Sequence, residues 1–212
     1  MDYIKEKLYQ QLAIDYCCKI SDIKDDKNHF MEYKKIEGRR QFEEADDCVL
    51  KVIAVNGKLI FTGKKSVVDV CQKQFSNKSG NWFMDVVNFR KLDEILKKEG
   101  YRIKTVHPFF IPKDDHVYEI NGVEIKKYNQ EDIFQFKDDD RFDEAFCFSE
   151  ASPDVLAVAA IIDNEIVGMA GASADSPSFW QIGINVNKNF EGRHIASGLV
   201  SILKSDILKK GI

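Results

Sequence analysis

Apolar residues recur at Ile4, Leu8, Leu12, Tyr16 and Ile20, and this spacing predicts an amphipathic helix over residues 3–20. The stretch "SDIKDDKNHF" after it is polar and reads as a loop or a short helix. In "CVLKVIAVNGKLIFTGKK" two apolar runs, Val49–Val55 and Leu59–Thr62, flank Asn56-Gly57. That pair is the signature of a type I′ hairpin. "VVNFRKLDEILKKEGYRI" returns to helical spacing, with Val86, Phe89, Leu92, Ile95 and Leu96 on one face and Gly100 where a helix would end. The Pro-punctuated, then charged stretch "HPFFIPKDD" reads as a junction. It divides the chain into an N-terminal α/β domain, 1–115, and a second domain, 116–212.

The second half opens with a strand in "VEIKKYN" and a helix in "QEDIFQFKD", and "FCFSEASP" reads as a lead-in loop. Residues 154–186 then read as three consecutive antiparallel strands, turned at Asp163-Asn164-Glu165 and at Ser176-Pro177-Ser178. A last helix, roughly His194 to Lys210, presents Ile195, Leu199, Ile202, Leu203 and Ile207 on one face. Both halves carry a hairpin and then a helix, without a sequence repeat. The expected fold class is α/β of the α+β type: a mixed, mostly antiparallel sheet flanked by helices.

Composition narrows the function. The net charge of −4 gives no basic excess to neutralise phosphates, so nucleic acid is not the expected partner. No apolar run nears the roughly 20 residues that span a bilayer, and the charged N-terminus does not read as a signal peptide. The five cysteines form no CxxC pair and the chain has four histidines, so neither a metal site nor a disulfide framework is expected. A reduced, cytoplasmic protein is the simplest expectation. Other suggestive residues have plain readings. "KDDDRFDE" lacks EF-hand spacing and reads as a solvated face. Arg39 and Arg40 in "EGRRQF" read as a charged surface turn. His107 before Pro108 reads as structural, and Trp82 and Trp180 as core or cleft lining.

The stretch with the most chemistry is "NFEGRHIASGL", residues 189–199. It joins a strand ending "INVN" to the last helix. A helix N-terminus offers unpaired N–H groups and the positive end of the macrodipole, and it binds phosphate when the loop before it lets backbone approach. Gly192, Ala196, Ser197 and Gly198 are small, and Lys188 and Arg193 add positive charge. Close helix–sheet packing explains the small residues equally well.

The order of strand, tight turn, strand "IVGMAGAS", strand, anion loop and helix resembles the acetyl-CoA-binding core of the GNAT-type N-acetyltransferase superfamily. The resemblance runs from about Val123 to the end of the chain. The family loop reads Arg/Gln-x-x-Gly-x-Gly/Ala, and Glu191, Gly192, Arg193, His194, Ile195 and Ala196 stand in its place. Glu191 replaces Arg or Gln, and its carboxylate would repel a pyrophosphate unless turned outward. His194 replaces Gly, and a protonated imidazole there could compensate.

The resemblance implies acetyl-CoA as co-substrate. It implies that backbone of Ile184, Asn185 and Val186 serves the pantetheine arm. The loop from Glu191 and Gly192 through Arg193, His194, Ile195, Ala196 and Ser197 would serve the pyrophosphate. No base is evident: Trp180, Gln181 and Asn185 on the fourth strand are not bases near neutral pH. Glu150 in the lead-in loop is the remaining candidate for catalysis, with a solvated loop carboxylate as its plainer reading. The implied activity is transfer of an acetyl group to a small-molecule or peptide amine. A non-catalytic acyl-CoA-binding or regulatory module is the alternative, and an interaction domain without ligand a third. In the resembling family the helix leads into a further strand, so a truncated and poorly active form is expected. Its edge at 182–186 would then be unpaired, and alternatively the N-terminal half or a second copy, as in a homodimer, would cover it.

Overall fold

The computed structural model describes residues 2–40 and 48–212, and these divide into two compact units. The first comprises 2–39 with 48–110, and the second is Ile111–Ile212 together with Arg40. The strands are mostly antiparallel and flanked by helices, as the pattern of apolar positions predicts, but they form two sheets.

In the N-terminal unit, helix α1 (Asp2–Asp15) is shorter than the 3–20 spacing predicts. Cys17 adopts a left-handed φ of 55°, and Cys18 N–H donates to Ala13 O at 3.0 Å. That is a Schellman-type stop with cysteine in the place usually taken by glycine. The chain restarts as α2 (Ile20–Lys24) and then forms strand β1 (His29–Glu32), which the polar character of this stretch concealed. Strands β2 (Leu50–Val55) and β3 (Lys58–Gly63) make the expected hairpin, with Asn56 at φ 51° and Gly57 at φ 81°. Both turn residues thus take the positive φ that a type I′ turn needs. β3 is central, parallel to β1 and antiparallel to β2. Its Leu59 and Phe61 pack against α3 (Lys65–Phe75) and α4 (Val86–Lys98) on one face, while Ile60 meets the core that carries α1 and α2. α4 buries Leu92, Ile95 and Leu96 as its spacing predicts, but Val86 at its start is 61% exposed. Trp82 is likewise 70% exposed, and so lines no core. The expected turn at Arg39 and Arg40 continues into residues outside those described; Arg39 itself lies over the Tyr33 ring.

The C-terminal unit is one sheet in the order β4 (Glu124–Asn129), β5 (Asp154–Ile162), β6 (Glu165–Ser173), β7 (Gln181–Val186), all antiparallel. The helix expected at 130–138 is one turn, α5 (Gln130–Ile133), tightening into a 3-10 turn at Phe134–Phe136. The β5–β6 turn needs only Asp163 and Asn164, both at positive φ, and Glu165 already belongs to β6. Helix α6 (Ile195–Lys209) covers one face, where Ile195, Leu199, Leu203 and Ile207 meet Val158, Ala160, Ala170 and Ala172. Fully burying one such aliphatic side chain contributes roughly 1.5–3 kcal/mol. The other face carries Met169 and an aromatic cluster of Tyr128, Phe136, Phe142 and Phe146. β7 pairs only with β6 among the described residues, leaving its outer edge open.

Candidate cofactor site at the turn between strand seven and helix six

The turn is built from backbone. Asn187 N–H donates to Val167 O at 2.9 Å, so the chain is still fastened to the sheet where β7 ends. A 3-10 turn at Lys188–Phe190 comes next, with the Asn187 side chain accepting from Asn189 N–H at 3.0 Å. Gly192 and His194 then both take left-handed φ values, 74° and 60°. Two positive-φ residues separated by one bring the chain sharply round into α6, and a non-glycine residue in that conformation costs roughly 1–2 kcal/mol. His194 tolerates it better than a β-branched residue would.

α6 begins without a side-chain cap, and its first bond is Gly198 N–H to His194 O at 3.0 Å. Among the described residues, the N–H groups of Ile195, Ala196 and Ser197 therefore have no partner. Ser197 Oγ is turned back to His194 O at 3.0 Å. Ile195 is buried against Gly168, which anchors the turn, whereas Ala196 and Ser197 are exposed. A Cβ on Gly192 would meet nothing within 4 Å, so the backbone there lies open to an approaching group. Lys188, Glu191, Arg193 and His194 are all exposed, and the Arg193 guanidinium sits 5.0 Å from the centre of the Phe190 ring. The donors suit an anion: unpaired N–H groups, an open glycine and two exposed cations. Among the described residues, the exposed Glu191 carboxylate has no bond that points it inward.

The loop residues expected at the site, 191–197, are thus contiguous at one strand end. Ile184 and Val186 point their side chains into the α6 core, so only their backbone can meet a ligand. Asn185 points to the other face. Its Oδ1 accepts from Glu144 N–H at 3.0 Å and Ala145 N–H at 2.7 Å, and its Nδ2 donates to Asp143 Oδ1 at 2.9 Å.

Glu150 does not join these residues. It is exposed in the loop before β5, whose first residue Asp154 pairs with Ser173, which in turn pairs with Gln181 at the start of β7. That loop is at the opposite strand end from 187–194. Its anchor is Asp154, 6% exposed, whose carboxylate accepts from Cys147 and Phe148 N–H and whose pKa is raised by burial.

Gly198 belongs to packing rather than to the loop. The extended segment before β4 crosses α6 here: Tyr118 N–H donates to Ser201 Oγ at 2.9 Å, and Lys204 Nζ to His116 O at 2.9 Å. Ile120 then lies directly over Gly198.

Among the described residues, one metal-like cluster occurs elsewhere, where Asp22, Asp25 and His29 converge. Its charge is already met from within. Lys58, 2% exposed, donates to Asp22 O at 2.6 Å and to Asp25 Oδ1 at 3.0 Å, and His29 Nε2 lies 3.0 Å from Asp25. In the acidic stretch at 137–144, Asp139 caps a 3-10 turn and pairs with Arg141 at 2.6 Å.

Residues 117–212 match the family model described as Acetyltransferase (GNAT) family. That segment holds the whole four-stranded sheet and α6, and the match supports the resemblance to the GNAT acetyltransferases. No curated protein matches the chain. Among the described residues, no helix is long and apolar enough to cross a membrane.

Proposed function

We propose that this protein is an N-acetyltransferase that moves an acetyl group from acetyl-CoA to a primary amine. The observation that carries the reading is the turn at 187–197, with three unpaired helix N–H groups beyond an open Gly192. In this reading those N–H groups hold the pyrophosphate, helped by the α6 dipole and by Lys188 and Arg193. The outer edge of β7 supplies backbone N–H and C=O groups to the amides of the pantetheine arm, as a further strand would. Acetyl-CoA supplies the activated acyl group when bound.

The amine must shed a proton to attack, and a positioned carboxylate or a water chain ending on one can take it. The Asp143 carboxylate accepts from Asn185 on β7, so Asp143 joins Glu150 as a carboxylate to test.

A non-catalytic acyl-CoA-binding module keeps support from Glu191, whose charge opposes a pyrophosphate. Two measurements separate the readings. Calorimetric titration with acetyl-CoA tests binding, and thiol release with a panel of primary amines tests transfer. Binding without amine-dependent release would leave the module, and absence of binding would defeat both.

A further inference from the structure

We propose that Asn185 is a positioning residue that registers the 143–145 segment against β7, so that a ligand on that strand is felt in the wall beside it. The proposal rests on the reading of β7 as the acetyl-CoA strand. Three hydrogen bonds leave one side chain, spanning about forty residues of chain: two N–H groups received by Oδ1 and one carboxylate met by Nδ2. The amide orientation is the only one that satisfies both sets, since a flipped amide would aim NH2 at two N–H donors and a carbonyl at a carboxylate.

The sheet is shaped for this contact. Gly183 on β7 and Gly171 on β6 sit under the carbonyl oxygens of Glu144 and Ala145, and a Cβ at either would collide with them. The segment therefore lies flat on the two strands with no side chain between. Along it, Asp143 and Glu144 remain exposed, while Ala145 and the following Phe146 are buried. β7 has no neighbour on its outer side among the described residues, so nothing in the sheet holds its register there. Asn185, partly buried, is the polar tie on that strand between its backbone and the facing wall. A ligand that fixes β7 would, through this tie, fix Glu144 and Ala145 as well, whereas a purely structural contact would be indifferent to the ligand.

The test is amide hydrogen exchange at Glu144 and Ala145, with and without saturating acetyl-CoA, on the full chain. Saturation is set separately for each variant by calorimetry. In the wild type, acetyl-CoA slows exchange at both amides by at least about fivefold. In Asn185→Ala the free protein exchanges there at least about tenfold faster, and acetyl-CoA no longer slows it.

Asn185→Asp keeps the acceptor for both N–H groups but sets a carboxylate against Asp143, and it should also lose the ligand response. Adding Asp143→Asn to Asn185→Asp rebuilds the donor–acceptor pair in mirror image and should restore it. This pair decides the matter if the alanine variant does not fold. Retention of the ligand response in Asn185→Ala would overturn the proposal. So would an absent response in a wild type that binds acetyl-CoA, or identical behaviour of Asn185→Asp and the double variant. A wild type that does not bind acetyl-CoA overturns the acetyltransferase reading itself, and this inference with it.

Discussion

Gly198→Ala separates packing from phosphate binding at the start of α6. A Cβ at this position would overlap Ile120 Cγ1 and lie 2.5 Å from its Cδ1, with Tyr118 O at 3.5 Å. Ile120 cannot easily give way. Its β-branched side chain is stiff at χ1, and its strap is fastened two residues earlier by the Tyr118–Ser201 bond. Overpacking of this kind costs roughly 1–3 kcal/mol. Against it stands the gain from replacing a helical glycine by alanine, up to about 1 kcal/mol. The net expectation is a destabilisation of about 0–3 kcal/mol.

Ile120→Ala removes the obstacle, and in that background Gly198→Ala should stabilise by up to about 1 kcal/mol. The coupling between the two substitutions is then roughly 1–3 kcal/mol. Urea unfolding reads it cleanly in a Trp82→Phe background. Trp82 is exposed in the other unit, and its removal leaves Trp180, packed on the α6 core, as the sole tryptophan. Calorimetry with acetyl-CoA runs in parallel. A coupling below about 0.5 kcal/mol would refute the packing argument. So would a tenfold loss of acetyl-CoA affinity with an unmoved unfolding midpoint, since Gly198 would then serve the ligand.

Three further outcomes rest on the same geometry. Gly192→Asn with Ala196→Leu should weaken acetyl-CoA binding at least about tenfold, or ~1.4 kcal/mol, by calorimetry; Asn accepts the left-handed φ, so the unfolding midpoint should hold while affinity falls. His194→Gly relieves a left-handed non-glycine residue and should raise the stability reported by Trp180 by up to about 1 kcal/mol; a loss of that size would show that the imidazole makes a contact worth more than the strain. Asp25→Asn should flatten the acid limb of unfolding followed by circular dichroism. The His29 hydrogen bond, then the Lys27 N–H and Lys58, hold the Asp25 carboxyl well below the usual range. Its contribution is therefore full above the ordinary Asp pKa of about 4 and is lost as pH falls below it, and parallel acid limbs for variant and wild type would contradict this.

The parts of the fold that were legible in the sequence are those where one local signal sufficed. Asn56-Gly57 specified its hairpin because only a few residues accept two positive φ values in succession, and the periodic face of α4 survived burial at Leu92, Ile95 and Leu96. The losses have particular causes. α1 stops at a cysteine in the left-handed conformation, which carries none of glycine's signal. β1 is four residues with no alternation, and it exists because β3 offers a parallel edge. α3 begins one residue after β3 and has no side-chain cap to announce it, although Val67, Val68, Cys71 and Phe75 do share a face. At the candidate site, the loop was visible as small and basic residues beside a helix start. The role of the Asn185 side chain was not, because its partners stand about forty residues away and become neighbours only when the sheet forms.

The run of small residues at 192–198 shows why such a stretch resists a single reading. Its members answer to different constraints, distinguishable by backbone angle and by what a Cβ would strike. Gly192 has a positive φ and empty space around it, so its freedom shapes the loop and leaves it open to a ligand. Gly198 has helical backbone and a crowded neighbour in Ile120, so its smallness serves the strap across α6. Gly168, across the interface, is small for a third reason: its Cβ would come within 2.9 Å of Ile195, the residue that seats the first turn of the helix. The packing and phosphate readings of this segment are therefore compatible, each for its own residues. They are also linked. By letting the strap and β6 approach α6 closely, Gly198 and Gly168 hold the helix in the place where its first N–H groups stand free beyond Gly192. A site made of backbone donors can be no better defined than the element that carries them, and here the close packing is what defines it.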